Sequence, residues 1–290
     1  MTIDSHSLIL AAGVGMLSGT DTAIWGMYKD AIHEGFSRGR FARSIVVGAI
    51  AGVLMQLVFA LPLPGAAALV MLFGLAYAGE RAIVEVWKTF VREEDQSKYT
   101  IPMRFSIRGV PVESRSVRLL AGGAYSALVL VGALGVARFD AGDSRIDTTI
   151  VALLGLAVGL VIAFGGAWKD APTEGFDSAK FLKSPCLTIA FALLLSRLSS
   201  SYLEIVVATV GYERLASETY KTFLFPSRPR GKFAGKPILH PDMLRRRRRF
   251  VPAYLVIRAA LLMTVAAAFR EVSNNRPDRS DRAATPGAGR

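Results

Sequence analysis

Long uncharged apolar runs alternate along this chain with short segments that hold most of its charge. About 20 apolar residues span the roughly 30 Å of a bilayer's hydrocarbon. Six runs approach that length: Leu8 to Trp25 (broken by Asp21 near its end), Ile45 to Leu63, Ala66 to Gly79, Leu119 to Val136, Thr149 to Trp168 and Val251 to Phe269. A further apolar stretch from Pro185 to Val210 is interrupted by Ser196-Arg197-Leu198-Ser199-Ser200-Ser201, which reads as a turn between two short helices. The pattern predicts an all-α fold, a polytopic transmembrane helical bundle of about eight spans. The first run lacks a basic n-region and an A-x-A-like cleavage site, so it is expected to stay as a helix. Residues 273–290 offer almost nothing to bury and are expected to form a disordered tail.

Two blocks of charge recur in the chain. Lys29-Asp30-Ala31-x-x-Glu34-Gly35-Phe36, continuing to Phe41 and Ser44, returns as Lys169-Asp170-Ala171-x-x-Glu174-Gly175-Phe176, continuing to Phe181 and Ser184, 140 positions later. Eight positions are identical, and Arg40/Lys180 and Arg43/Lys183 keep the charge. Glu80-Arg81-x-x-x-Glu85-x-Trp87-Lys88-Thr89-Phe90 returns as Glu213-Arg214-x-x-x-Glu218-x-Tyr220-Lys221-Thr222-Phe223, 133 positions later. Gly109-x-Pro111-Val112 and Gly235-x-Pro237-Ile238 form a weaker third match. From Asp30 to Asp170 the chain crosses four spans, an even number, so both copies emerge on one side. The expectation is two parallel four-helix repeats, residues 1–140 and 141–272, related by a pseudo-two-fold axis along the membrane normal. Ser184 to Glu213 is seven residues shorter than Ser44 to Glu80. Spans 6 and 7 are therefore short, ending in a vestibule or re-entrant hairpin, or thinning the bilayer locally.

Charge then sets orientation. The segments after spans 1, 3, 5 and 7 carry 4, 7, 3 and 10 Lys and Arg, 24 in all, against 8 on the other face. By the positive-inside rule the richer face is cytoplasmic, which places the protein in the cell's inner (cytoplasmic) membrane with both termini outside. Composition agrees with a membrane protein: 52% of residues are hydrophobic, 20% charged, and mean hydropathy is +0.38. One cysteine excludes an internal disulfide framework, and with three histidines it forms no Cys/His cluster for zinc or an iron–sulfur centre. His6, His33 and His240 lie outside the spans, so no cofactor is expected between helices.

Candidate chemistry lies in the repeated blocks. Lys29, Asp30 and Glu34, with Lys169, Asp170 and Glu174, place two carboxylates four residues apart, on one face of a helix. Glu80, Arg81, Glu85 and Lys88, with Glu213, Arg214, Glu218 and Lys221, sit where spans 3 and 7 leave the membrane. Both sets suit a gate, a phosphate and cation site, or salt bridges that clamp loop 1 to the end of span 3. Arg258 lies inside an apolar span, where a cation costs roughly 2.5–3.5 kcal/mol on insertion scales; Asp21, Glu204 and Glu218 are its candidate partners. Arg245, Arg246, Arg247, Arg248 and Arg249 form a run suited to anionic headgroups. Aromatic interleaving and nucleic-acid modules are missing, so nucleic acid is not expected. Lys98 to Arg118 reads as a hairpin turning near Gly109, with a counterpart from Gly231 to Ile238, and such a pair suits a protein partner on the cytoplasmic face. Cys186 reads as a small packing residue.

The first functional reading is a permease or lipid/anion transporter with a cavity between two pseudo-symmetric halves. Membrane lipids, above all anionic ones, are the expected partners. Alternatives are a non-catalytic membrane subunit or scaffold, and a membrane enzyme acting on a phosphate-bearing lipid through Asp30, Glu34, Asp170, Glu174 and a divalent ion. No familiar catalytic motif occurs, so the expectation is a protein that is not an enzyme.

Overall fold

The computed structural model describes residues 4–140, 146–224 and 231–274; most of the expected tail lies outside them. Eight long helices build it: α1 (Ser5–Glu34), α2 (Arg38–Phe59), α3 (Ala66–Val86), α4 (Arg115–Asp140), α5 (Thr148–Glu174), α6 (Ser178–Leu195), α7 (Tyr202–Thr219) and, after the single turn α8 (Met243–Arg246), α9 (Val251–Asn274). Seven are long and apolar enough to cross a membrane. The protein is a multi-pass membrane protein. The exception to the expected eight is α7, and burial explains it. Its Thr209, Glu213, Ser217 and Glu218 are buried against protein, so this helix need not be apolar all round.

Local chemistry sets the helix ends. Asp4, Ser37, Asp147 and Asp177 each accept a backbone N–H of the following turn, capping α1, α2, α5 and α6. Gly35 and Gly175, each following the repeated glutamate, close α1 and α5 with φ of 74° and 80°, a region open to glycine. Helices α3 and α7 both run into a single π-turn, Trp87–Val91 and Tyr220–Leu224.

In lipid there is little hydrophobic drive between helices, so close packing through small residues replaces it. Helices α1 and α2 cross backbone to backbone: a Cβ at Gly15 would overlap the carbonyl of Gly48, and one at Gly19 that of Ser44. In the same way α5 meets α6, where a Cβ at Gly159 would overlap Thr188 and Pro185. At the centre α3 crosses α7, with Gly211 against the Gly74 carbonyl and the Tyr212 hydroxyl donating to the Val70 carbonyl at 2.8 Å. Phe73, whose ring packs on Tyr212, lies buried in this seam with Ile205, while Tyr77 turns to α1 and its hydroxyl accepts the Trp25 indole N–H at 2.8 Å. Around it α4 and α9 turn apolar faces outward, with Leu120, Leu128, Val256 and Leu262 exposed, as lipid contact requires.

The loop after α3 folds into a short antiparallel hairpin, Ser106–Ile107 with Val110–Pro111, turning at Arg108 and Gly109 as expected. It rests on the end of α5, where the Trp168 indole N–H donates to the Ser106 carbonyl at 2.9 Å. Its earlier part meets the segment that begins at Gly231: the Thr100 N–H donates to the Lys232 carbonyl at 2.7 Å. Lys232 in turn reaches Asp30. The ends of α1 and α5, and hence Asp30 and Asp170, lie at one end of the bundle. The expected hairpin from Gly231 to Ile238 does not form. Its backbone groups go to other elements: after a 3₁₀ turn at Gly231–Phe233, the strap passes beneath α1 and the N–H groups of Leu239 and His240 both donate to the Ile32 carbonyl.

Candidate functional site

At the basic end, two clefts open between the first three helices of each four-helix set. The first, about 100 Å³, lies among α1, α2 and the end of α3, lined by Asp30, Glu34, Ser37, Arg40, Arg43 and Arg81 among others. The second, about 70 Å³, lies among α5, α6 and α7, lined by Asp170, Asp177, Lys180, Lys183, Glu213 and Arg214 among others. A water needs roughly 10–15 Å³ of such space, so each holds several waters or the oxygens of a phosphate group. Thirteen residues lining the first cleft have a counterpart 140 positions on in the second, including the pairs Asp30/Asp170, Arg43/Lys183 and Ser44/Ser184. Arg81/Arg214 and Lys88/Lys221 correspond at 133.

Ion pairs organise both clefts. In the first, Asp30 bonds Lys232 at 3.0 Å; Glu34 bonds Arg40, Lys232 (3.4 Å) and the Tyr99 hydroxyl (3.2 Å). Arg81 is held by Glu80 at 2.6 Å and by Glu85 at 3.5 Å, and Lys88 also reaches Glu85. In the second, Lys180 joins Asp170 (2.7 Å) and Glu174 (2.8 Å), while the Ser184 and Ser217 hydroxyls both donate to buried Glu213, which Arg214 approaches at 3.8 Å. Lys169 turns to the Met103 sulfur. Loop 1 is joined to the segment that follows α3 through Arg40 and Glu94 (3.9 Å) and through Glu34 and Lys98 (3.8 Å), and longer-range links are added: Asp30 and Glu34 bind the strap, and Lys29 crosses to Glu218 of α7 at 3.1 Å, with Lys221 near the same carboxylate. Among the described residues no three His, Cys, Asp or Glu side chains gather as around a metal ion. The two acidic pairs proposed for metal-assisted lipid chemistry are each engaged by lysine or arginine.

The loop over the first cleft is tuned by the same charges. Partial burial raises the Glu94 carboxyl, but hydrogen bonds from Lys98 and Tyr99 and the Arg92 charge outweigh it and hold it below the ordinary carboxylate range. Burial and the Glu34 carboxylate push the Tyr99 phenol up.

Away from the clefts, Arg258 meets Asp21, its Nη2 and Nε atoms 2.9 and 2.8 Å from the two carboxylate oxygens. Asp21 is fully buried; the Arg258 guanidinium also lies over the Tyr254 ring, 4.6 Å from its centre. The other two candidate partners are committed elsewhere, Glu204 to Ser199 and Glu218 to Lys29. Asp21 read as the edge of an apolar run, but α1 continues to Glu34 and places it inside the helix. Of the five arginines, Arg247 departs from the headgroup reading. It is buried, donating to the Tyr28 carbonyl at 2.7 Å over the Tyr28 ring. Arg246 pairs with Asp242. Cys186, read as packing, is exposed on α6.

Sequence reasoning passed over Arg43, Lys183 and Lys232 as site residues. The first two were visible as a charge kept across the repeat. Lys232 carried no local signal, because its partners lie about two hundred residues away. Compared with family models, curated proteins and solved structures, the chain matches none.

Proposed function

We propose that this is a pseudo-symmetric lipid-handling membrane protein that binds phosphate-bearing headgroups in the twin clefts at its basic end. We take that end to face the cytoplasm, with Arg245, Arg248 and Arg249 adding attraction to the anionic leaflet. The observation that carries the reading is the coincidence of the clefts: corresponding residues, including Arg43 and Lys183, line a pocket of similar size in each half. A duplicated unit that keeps one pocket twice supports a parallel repeat, and the matching crossings at Gly15–Gly48 and Gly155–Thr188 support it further. The bases for headgroup binding are charge, depth at the helix ends, and the flanking Phe36/Phe41 and Phe176/Phe181 rings, which contact each other in both clefts.

The packed α3–α7 seam favours binding over conduction, since a ligand crossing the centre must part Gly74 from Gly211. The same filled seam favours a second reading, a non-catalytic subunit holding a partner on its basic face. Native mass spectrometry of the detergent-purified protein separates the two. Headgroup binding expects phosphatidylglycerol adducts in preference to diacylglycerol, weakened about fivefold per lost cation in Arg43→Gln/Lys183→Gln. Equal retention of both lipids would remove the reading, and a stoichiometric crosslinked partner in native membranes would raise the second.

A further inference from the structure

The two clefts match in position but not in charge. Arg40, Arg43, Arg81, Lys88, Arg92 and Lys232 line the first, with Asp30 and Glu34 as its carboxylates. Lys180, Lys183, Arg214 and Lys221 line the second, against Asp170, Asp177 and Glu213. Two differences produce this. Lys232 enters the first cleft from the distant strap, and Arg92 enters from the turn after α3, where the aligned position 133 residues on is Phe225. The other difference is at the helix starts. Ser37, a neutral cap that accepts the Arg40 N–H at 3.4 Å, begins α2 at the first cleft, whereas its charged counterpart Asp177 begins α6 at the second and accepts the Lys180 N–H at 3.1 Å. A helix N-terminus behaves as about half a positive charge and favours an anion; in the second cleft the protein's own carboxylate occupies that position.

The first cleft also holds an uncommitted cation. Arg43 stacks over Trp87 at 5.2 Å, and among the described residues no carboxylate lies within ion-pair distance of it; its Nε is buried without a hydrogen-bond partner. Its neighbours Arg40, Arg92 and Lys232 are each already paired. Arg43, like its counterpart Lys183 among the described residues, is in no ion pair, and what sets the first cleft apart is the neutral helix start and the two imported cations around that free guanidinium.

We propose that the first cleft is a site for a phosphomonoester dianion, and that the second has lost this property through Asp177 and the absence of the two added cations. The inference rests on the headgroup-binding reading. A phosphomonoester carries about −1.5 to −2 at pH 7 and a phosphodiester about −1; Glu80, Glu85 and Glu94 offset Arg81, Lys88 and Arg92, so the unpaired Arg43 beside a neutral helix start is what favours the more highly charged group. The shared chemistry fits both a phosphatidate headgroup and a soluble phosphomonoester.

The test compares phosphatidate with phosphatidylglycerol on the full-length protein in nanodiscs, with glycerol phosphate and inorganic phosphate as soluble competitors. The expected result is at least fivefold preference for phosphatidate, abolished in Ser37→Asp and in Arg43→Gln, whereas Lys183→Gln weakens phosphatidate and phosphatidylglycerol alike and leaves their ratio unchanged. Aspartate caps a helix as well as serine does, so Ser37→Asp keeps α2 intact, and an unchanged thermal transition checks this. Asp177→Ser gives the second cleft a weaker preference for phosphatidate as well. Displacement of phosphatidate by the soluble competitors assigns the dianion to a soluble source, and no displacement assigns it to lipid. The inference is overturned if phosphatidate and phosphatidylglycerol bind alike, or if Lys183→Gln loses as much of the preference as Arg43→Gln. Failure of both lipids to bind better than diacylglycerol instead removes the headgroup reading beneath it.

Discussion

Replacing either partner of the Asp21–Arg258 pair leaves a charge stranded between α1 and α9. The two contacts of 2.8 and 2.9 Å give an attraction of about 6 kcal/mol at an effective dielectric of 20. Most of this is offset by removing both groups from water, so the pair as a whole contributes little against a neutral replacement. Breaking it is different. Asp21 is fully buried, and a lone buried charge costs about 3–5 kcal/mol. Asp21→Asn and Arg258→Gln should each lower the thermal unfolding temperature by roughly 6–20 °C, taking 2–4 °C per kcal/mol for a chain of this size. The double variant, with amide facing amide, should recover more than half of the larger loss. The assay is a double-mutant cycle on detergent-purified protein, followed by intrinsic tryptophan fluorescence, with Trp25 one turn along α1 from Asp21 as the reporter. Single variants within 1 kcal/mol of wild type, or losses that simply add in the double variant, would refute the argument that this pair is a closed structural lock.

The α3–α7 seam makes its own prediction. Gly211→Val pushes a branched side chain into the Gly74 carbonyl and should cost about 1–3 kcal/mol of overpacking, whereas Gly13→Ala, with open space around it, should be neutral or slightly stabilising; resistance to unfolding in SDS ranks the two. Glu94 is held below its ordinary range, so its contribution is complete above the unfolded value of about 4.3 and is lost as pH falls through the folded one. Wild type should therefore lose part of its thermal stability between neutral pH and strong acid that Glu94→Gln has already lost at neutral pH; parallel pH profiles would count against the pairing. Orientation is open to a labelling test. Arg108→Cys at the hairpin turn, in a Cys186→Ala background, should react with an impermeant maleimide in inside-out vesicles and not in right-side-out ones, and the reverse outcome would invert the topology we propose.

Most helices were legible because the physics that forms them is local. An uncharged run of bilayer length is a helix whatever surrounds it, and Asp147, Asp177, Gly35 and Gly175 mark ends by their own hydrogen bonds and dihedrals. The repeated blocks led to the clefts for a similar reason: a residue kept at a fixed spacing keeps its place in the fold. What escaped was non-local. Helix α7 was expected from the sequence, but the burial of its polar residues against α3 and α6, which lets it be less apolar than the others, was not. Asp21 looked like the end of a run because its partner lies 237 residues away. The five arginines look alike in sequence, yet Arg247 alone lies beneath α1, on the Tyr28 carbonyl.

A common device holds the outer helices. Helix α9 presents an apolar surface to its surroundings, and what fastens it to α1 is polar: Arg247 on a backbone carbonyl at its start and Arg258 on Asp21 farther along. Helix α4 repeats the tactic with other residues. Its start is held by Arg118, fully buried, which donates to the carbonyls of Val112 (3.0 Å) and Glu113 (2.7 Å) and pairs with Glu93. At its far end the Asp140 carboxylate accepts the Ser201 hydroxyl and the N–H groups of Tyr202 and Leu203, capping α7. Between these points few of its side chains are buried. A helix whose neighbours are lipid gains little from apolar contact with protein, because lipid offers the same contact. Directional bonds at discrete positions supply what area cannot. Helix α4 packs against α7 and α9 against α3, each fourth helix on the third helix of the other set. The first four helices and the second four are thereby bound to each other, so the clefts at the basic end sit on one cross-linked frame.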